Sequence, residues 1–375
     1  MPGESVRLSD LVAATEGTII GDTDPIISDV EHDSRRVREG GLYVAIRGHT
    51  SDGHQYLQAV SRTAAAVCVE DAQALDVPQL VVRNTRQALG RLAHIVHGKP
   101  SSRLSVAGIT GTNGKTTVTY LLESIAEAAE RSAGLIGTIG ARIAGAPVAT
   151  SRTTPEASEL HRLLAQMVAD GVTIAAIEVS SHALDLFRVE AVEFSVVAFT
   201  NLSQDHLDFH GDMEQYFRAK ARLFDPSRAH HAVVNTADPW GARLADELRD
   251  TPLPVTTVLG DDAAVSVSDV AQGLDSSSFV LETPQGVISI ELPLGGRFNV
   301  DNAVVAAGCA LGLGFDLAEV KRGLEATAAI PGRVELVDAG QEFAVLVDYA
   351  HTPEAIAAIV EETAGLAKGR VIVVV

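Results

Sequence analysis

The segment Leu104-Ser105-Val106-Ala107-Gly108-Ile109-Thr110-Gly111-Thr112-Asn113-Gly114-Lys115-Thr116-Thr117 decides the fold. It opens on an apolar run of strand length and turns through glycines. It then enters a stretch whose apolar residues Val118, Leu121, Leu122, Ile125 and Ala129 recur at helical spacing. Strand, glycine-rich turn and helix in that order are the setting of a phosphate loop. The glycines let backbone N–H groups converge on phosphate oxygens, and the helix N-terminus adds partial positive charge. The expected nucleotide contacts are Gly111, Thr112, Asn113, Gly114, Lys115, Thr116 and Thr117, with Lys115 reaching the terminal phosphates and Thr116 able to ligate Mg²⁺. The usual spacing would put a glycine at Ile109, so Gly111 is expected to supply the turn. The competing reading is a glycine-rich strand-to-helix turn carrying a solvated lysine.

Outward from this loop, apolar runs of strand length (Leu104 to Ile109, Thr173 to Val179, Phe194 to Thr200, Ala232 to Asn235) alternate with helical stretches. That order predicts an α/β fold with a central, mostly parallel sheet covered on both faces. A hairpin is expected over Ser278 to Leu292, around Pro284-Gln285-Gly286. Residues 1–100 read as a smaller α/β unit ending in the linker His97 to Ser102, and 101–329 as the phosphate-loop domain. After Ile330-Pro331-Gly332, residues 330–375 begin a third domain with a strand at Phe343 to Val347 and a helix from about Pro353. Arg370 to Val375 reads as the middle of a buried strand, so the chain is expected to be a fragment whose C-terminal domain is truncated.

Composition narrows the function. Lys+Arg number 29 against 49 Asp+Glu, a formal charge of -20 with no basic block, which gives no general grip on nucleic-acid phosphates. A bound anion must be held by local geometry. Cys68 and Cys309 lie in apolar stretches and read as buried thiols of a reducing compartment. No signal peptide is visible, and no apolar run approaches the roughly 20 residues of a membrane helix, so a cytoplasmic location is expected.

Residues at the carboxyl ends of parallel strands face the same crevice as the phosphate loop. Glu178 ends one apolar run; buried there, it needs a partner or a metal, and it reads as a Mg²⁺ ligand beside Thr116. Asn201 to Asp208 follows another run, where His206 is a further candidate ligand or a hydrogen-bonded loop histidine. In the helix expected over Met213 to Phe224, Lys220 falls on the face defined by Tyr216, Phe217, Leu223 and Phe224, while Arg218 and Arg222 point elsewhere. An inward lysine favours the neutral amine, which can add CO₂ to become an anionic carbamate. The alternative is a lysine snorkelling to the rim.

Five segments together resemble the Mur ligases: Gly111 to Thr117, Glu178 to His182, Thr200 to Asp208, Gly296-Arg297-Phe298-Asn299-Val300-Asp301-Asn302-Ala303 and Asp348-Tyr349-Ala350-His351-Thr352-Pro353. The resemblance covers nearly the whole chain. It implies a three-domain, monomeric, ATP- and Mg²⁺-dependent enzyme. Such an enzyme adds the third amino acid, meso-diaminopimelate or L-lysine, to UDP-N-acetylmuramoyl-L-alanyl-D-glutamate in peptidoglycan synthesis. By similarity His32-Asp33-Ser34 and Gly48-His49-Thr50 line a uridine pocket, and Asn113, Thr153, Thr154, Ser180 and Arg188 hold the muramoyl-peptide. Asn299, Asn302, Arg333 and Asp348 contact the nucleotide, with His351 nearby. Thr116, Glu178, His206 and a carbamylated Lys220 serve the metals, and Lys115, Lys220 and His206 the chemistry. Family members often carry glutamine two residues before the arginine matched by Arg188, where this chain has Leu186; the motif that selects the third amino acid is expected beyond Val375. The rivals are a folylpolyglutamate-type ligase, a phosphate-loop switch or motor ATPase, and a fragment that binds its ligands without turnover.

Overall fold

The strand beneath the phosphate loop forms at Ser105–Thr110 (β1), and the helix after it at Lys115–Ala128 (α1), in a computed structural model that describes residues 5–48, 51–367 and 369–374. Further along come Ala133–Gly137 (β2), Gly140–Ile143 (β3), Ala146–Val148 (β4), Ile174–Glu178 (β5) and Val196–Phe199 (β6). Then follow Met213–Ala221 (α2), Ala232–Asn235 (β7), Val255–Val258 (β8), Arg297–Gly312 (α3) and Pro353–Leu366 (α4). The strands make one sheet in the order β4-β3-β2-β5-β1-β6-β7-β8. The six from β2 to β8 through β5 and β1 run parallel, and β3 and β4 extend the edge antiparallel. A central parallel strand is covered on both faces, which is why Val106 to Thr110 of β1 are all buried. The mostly parallel sheet expected from the alternation of apolar runs is therefore present.

Helix α1 buries Val118, Leu121, Leu122 and Ile125 in the main core, the stripe read from its periodicity. Helix α3 adds Val300, Val304 and Ala307 to that core. Each fully buried aliphatic side chain contributes roughly 1.5–3 kcal/mol relative to exposure. The expected hairpin appears as Ser277–Thr283 and Gly286–Leu292, joined by Ser266–Gln272 into a three-stranded antiparallel sheet.

Two expectations fail near the end of the described chain. The strand over Phe343 to Val347 shrinks to Leu346–Val347, paired only with Glu335–Leu336, and Phe343 is exposed. Residues 371–374 form no strand, and Ile372 and Val374 are exposed at 69% and 91%. A strand needs a neighbour to take up its backbone N–H and C=O groups, and none pairs with this run among the described residues.

The chain divides into two compact units, and β1 to β8 belong to the one comprising Ser105–Thr153, Gly171–Ser181 and Phe194–Val375. The other, which contains the N-terminal residues and is called the first unit, comprises Met1–Leu104, Thr154–Asp170 and His182–Glu193. Its five-stranded sheet runs Thr18–Ile20, Gln79–Val81, Ala66–Val69, Gly41–Val44, Asp29–Glu31, parallel except at the first pair. The helix Thr85–Val96, capped by Asn84, sends Ala88, Leu89 and Leu92 into the core of this unit beside Ala157. Cys68 and Cys309 are buried free thiols, as their apolar surroundings suggest. No helix among the described residues is long and apolar enough to cross a membrane.

Candidate active site

The turn between β1 and α1 is held by the segment that follows β6. Thr112 N–H donates to the Asn201 carbonyl at 2.9 Å and Asn113 N–H to Asn201 Oδ1 at 2.9 Å, while Thr200 Oγ1 donates to the Asn113 carbonyl at 2.6 Å. Two glycines are obligatory. A Cβ on Gly111 would lie 1.9 Å from Thr200 Oγ1, and one on Gly114 2.2 Å from Asn302 Oδ1, with Gly114 at φ +87°. Ile109, where the usual spacing has glycine, is a fully buried strand residue; the turn starts two residues later.

Around this loop lies a cleft of about 680 Å³. Thr112 to Thr117, Thr153, Glu178, Ser180, His206, Asn299, Asn302, Arg333, Asp348 and His351 all line it, so most of the sequence-derived residues of this unit converge. Gly111 and Lys220 are not among the residues that line it. Lys115 Nζ donates to the carbonyls of Gly111 and Thr112 at 2.9 and 2.8 Å. Lys220, 1% exposed, donates to the same Gly111 carbonyl at 2.8 Å and stands over the Tyr216 ring. Burial lowers the pKa of both lysines; Lys115 pushes that of Lys220 down further, while Asp205 opposes it. The inward face read for Lys220 is therefore correct, and Arg218 is exposed and paired with Glu214 and Glu247.

Glu178 is 1% exposed, with Oε1 accepting from Thr138 N–H and Oε2 from Thr138 Oγ1, both at 2.9 Å. This buried carboxylate and the Thr116 hydroxyl, to which Arg333 Nη2 donates at 2.9 Å, both line the cleft. His206 lies 3.4 Å from Asp205 at the rim, its pKa lowered by burial against the pull of Asp205. Asn299 Nδ2 donates to the Gly295 carbonyl at 2.7 Å, and Asp348 accepts from Val334 and Ala350 N–H. The Nδ1 atom of His351 is 3.0 Å from the Tyr349 carbonyl.

Ser34, Thr154 and Arg188 belong to the first unit. Ser34 is half-buried, and Arg188 donates to the Thr154 carbonyl at 3.3 Å. His32 Nδ1 lies 2.9 Å from Ser158 Oγ, and the Asp33 pKa falls to about 2 beside Arg35. His49 and Thr50 lie outside the described residues.

Among the polar residues lining the cleft, Thr138, Asn235 and Asp238 escaped sequence reasoning. Thr138 follows β2, a strand not recognised in the sequence, although the rule of strand carboxyl ends would have found it there. Asn235 ends β7 and donates to the Thr200 carbonyl at 2.7 Å. Asp238 accepts from Leu202 N–H at 3.1 Å. Asn235 ends, and Asp238 follows, a strand that the sequence did reveal.

Three family models match in sequence: the Mur ligase family catalytic domain over residues 26–97, the Mur ligase middle domain over 109–310 and the Mur ligase glutamate ligase domain over 332–375. The chain belongs to the Mur ligase family. It is 40% identical over 363 residues to the UDP-N-acetylmuramoyl-L-alanyl-D-glutamate–2,6-diaminopimelate ligase of Bacillus licheniformis, covering 95% of this chain and 74% of that one. A solved structure of a ligase of that name aligns with a TM-score of 0.82 at 27% identity, over 96% of this chain and 74% of its own. A Mycobacterium tuberculosis folylpolyglutamate synthase, 22% identical with a TM-score of 0.62, covers 75% of this chain and 70% of its own and shares the fold. Membership makes this chain an ATP-dependent ligase with a mixed α/β architecture around a central parallel sheet.

Proposed function

We propose that this Mur ligase joins meso-diaminopimelate to the free D-glutamyl carboxylate of UDP-N-acetylmuramoyl-L-alanyl-D-glutamate in the cytoplasm, acting as a monomer. The carrying observation is a phosphate loop, a buried carboxylate and an arginine around one cleft in a chain 40% identical to a ligase of that name. In this reading residues 1–100 grip the UDP end, with Ser34 and His49 at the uridine, and 101–329 bind ATP. Residues 330–375 contribute Arg333 and Asp348 to the nucleotide. Asn113, Thr153, Thr154, Ser180 and Arg188 hold the muramoyl-peptide.

A carboxylate acylates poorly because its leaving group is poor. Its oxygen therefore attacks the γ-phosphorus of ATP, the bond to ADP breaks, and an acyl phosphate forms. The amine then adds to the acyl carbon, phosphate leaves, the nitrogen loses a proton to water, and the amide remains. Lys115 turns from the Gly111 and Thr112 carbonyls to the γ-phosphate, while Arg333, which donates to Thr116, supplies further positive charge.

The oxygens of Thr116 and Glu178 suit Mg²⁺, which takes one or two protein ligands together with phosphate oxygens. A second ion would be held by His206 and Lys220. The structure supports the neutral amine that carbamate formation requires, through the burial of Lys220. Bound Mg²⁺ would offset the negative charge between carboxylate and γ-phosphate.

The test supplies ATP, UDP-N-acetylmuramoyl-L-alanyl-D-glutamate and either diaminopimelate or L-lysine, and follows the nucleotide-linked product by mass. Diaminopimelate-dependent product is expected. Phosphate release indifferent to the muramoyl substrate would favour a switch ATPase, and glutamate addition to a folate would favour the folylpolyglutamate reading.

A further inference from the structure

Glu156 is the N-cap of the helix Ala157–Ala169, yet its side chain makes no capping hydrogen bond. The short side chains of Ser, Thr, Asp and Asn ordinarily accept from the first-turn N–H groups at this position; the longer glutamate leaves its carboxylate available to other donors. Here the carboxylate turns to two arginines from elsewhere in the same unit. Its Oε1 accepts from Arg188 Nε at 3.1 Å and lies 3.0 Å from Arg188 Nη2, and its Oε2 accepts from Arg86 Nη1 at 3.5 Å. Arg86 is itself tied by Nη2 to the Arg47 carbonyl at 3.3 Å, and Arg188 by Nη1 to that of Thr154. The cluster is nearly dry: the Glu156 side chain is 8% exposed, that of Arg188 12% and that of Arg86 16%.

Because Glu156 grips the Nε edge of Arg188 and the Thr154 carbonyl takes another N–H, the plane of that guanidinium is fixed before any ligand arrives. We propose that Glu156 is a positioning residue that presets Arg188 for the anionic muramoyl-peptide, with Arg86 holding Glu156 in turn. This rests on the reading above that Arg188 contacts that substrate.

Position and charge predict opposite outcomes. If only net charge mattered, removing the carboxylate would tighten anion binding; if orientation matters, binding weakens. The test is calorimetric binding of UDP-N-acetylmuramoyl-L-alanyl-D-glutamate to the whole chain and to Glu156→Gln, Glu156→Ala, Arg188→Ala and the Glu156→Ala/Arg188→Ala double variant. Near-UV circular dichroism and ATP affinity serve as folding controls. Glu156→Ala is expected to weaken binding about 10- to 100-fold, with Glu156→Gln intermediate because its amide oxygen still accepts. The double variant should bind no worse than Arg188→Ala. Unchanged or tighter binding in a folded Glu156→Ala, or losses that simply add in the double variant, would overturn the positioning role. Failure of Arg188→Ala to weaken binding, or of the unaltered chain to bind, would instead overturn the substrate reading beneath it.

Discussion

The cations beside the phosphate loop and those of the first unit are compensated in different ways. Lys115 and Lys220 both donate to the Gly111 carbonyl, and Lys115 also to that of Thr112, so two buried amino groups lean on peptide dipoles. In the first unit Arg86 and Arg188 share the Glu156 carboxylate, and Arg162 holds Asp29 and Glu31 at 3.0 and 3.2 Å. A carbonyl dipole offsets a buried charge only in part, whereas a carboxylate carries one full opposite charge. The phosphate loop therefore stores a deficit of negative charge that an incoming triphosphate can fill. The arginine clusters spend most of their charge on holding segments of one unit together.

This contrast can be broken or sharpened by experiment. The largest effect belongs to Lys115→Ala, expected to cut ligase turnover by about 10³-fold or more because the site loses the charge aimed at the γ-phosphate. Normal turnover would show that the deficit has no role. Lys220→Ala should lose most activity, and an added short-chain carboxylate should restore part of it; unchanged turnover would remove the carbamate.

Thr138→Val keeps shape but deletes the hydroxyl bond to Glu178, and should raise the Mg²⁺ concentration for half-maximal rate by about tenfold. An unshifted Mg²⁺ dependence would mean that Glu178 needs no such support.

The last test concerns pH. Burial lowers the His161 pKa from 6.5 to about 3, against the pull of its contact with the Glu190 carbonyl. The unfolded chain therefore takes up this proton first, so stability is full above pH 6.5 and drains away as pH falls toward 3, at up to about 1.4 kcal/mol per pH unit. Urea midpoints against pH should be flatter for His161→Gln. Parallel curves would remove His161 from the acid response of the first unit.

Much of this was legible in the sequence because the signals were local. Gly114-Lys115-Thr116 between an apolar run and a helical stripe requires neither partner nor tertiary contact to be read, and the position of Lys220 on its helix follows from a period of 3.6. Glu178 was found because an acid in an apolar strand is anomalous. Thr138, Asn235 and Asp238 were missed because a threonine or asparagine after a strand is unremarkable until its neighbour across the sheet is known. The strand anticipated at residues 370–375 failed for the converse reason: apolarity can be read from one segment, whereas pairing needs two.

The order of elements, the phosphate loop and the inward lysine were determined by the sequence itself, since helical period and backbone sterics act over a few residues. Tertiary structure alone decided that Lys115 and Lys220 share one carbonyl, that Thr138 orients Glu178, and that Glu156 abandons its own helix for Arg188. In those pairings Lys220 and Gly111 are 109 positions apart, Thr138 and Glu178 are 40 apart, and Glu156 and Arg188 are 32 apart. They arise because burial removes water as a partner and leaves each charge to whatever acceptor the fold has placed within about 3 Å.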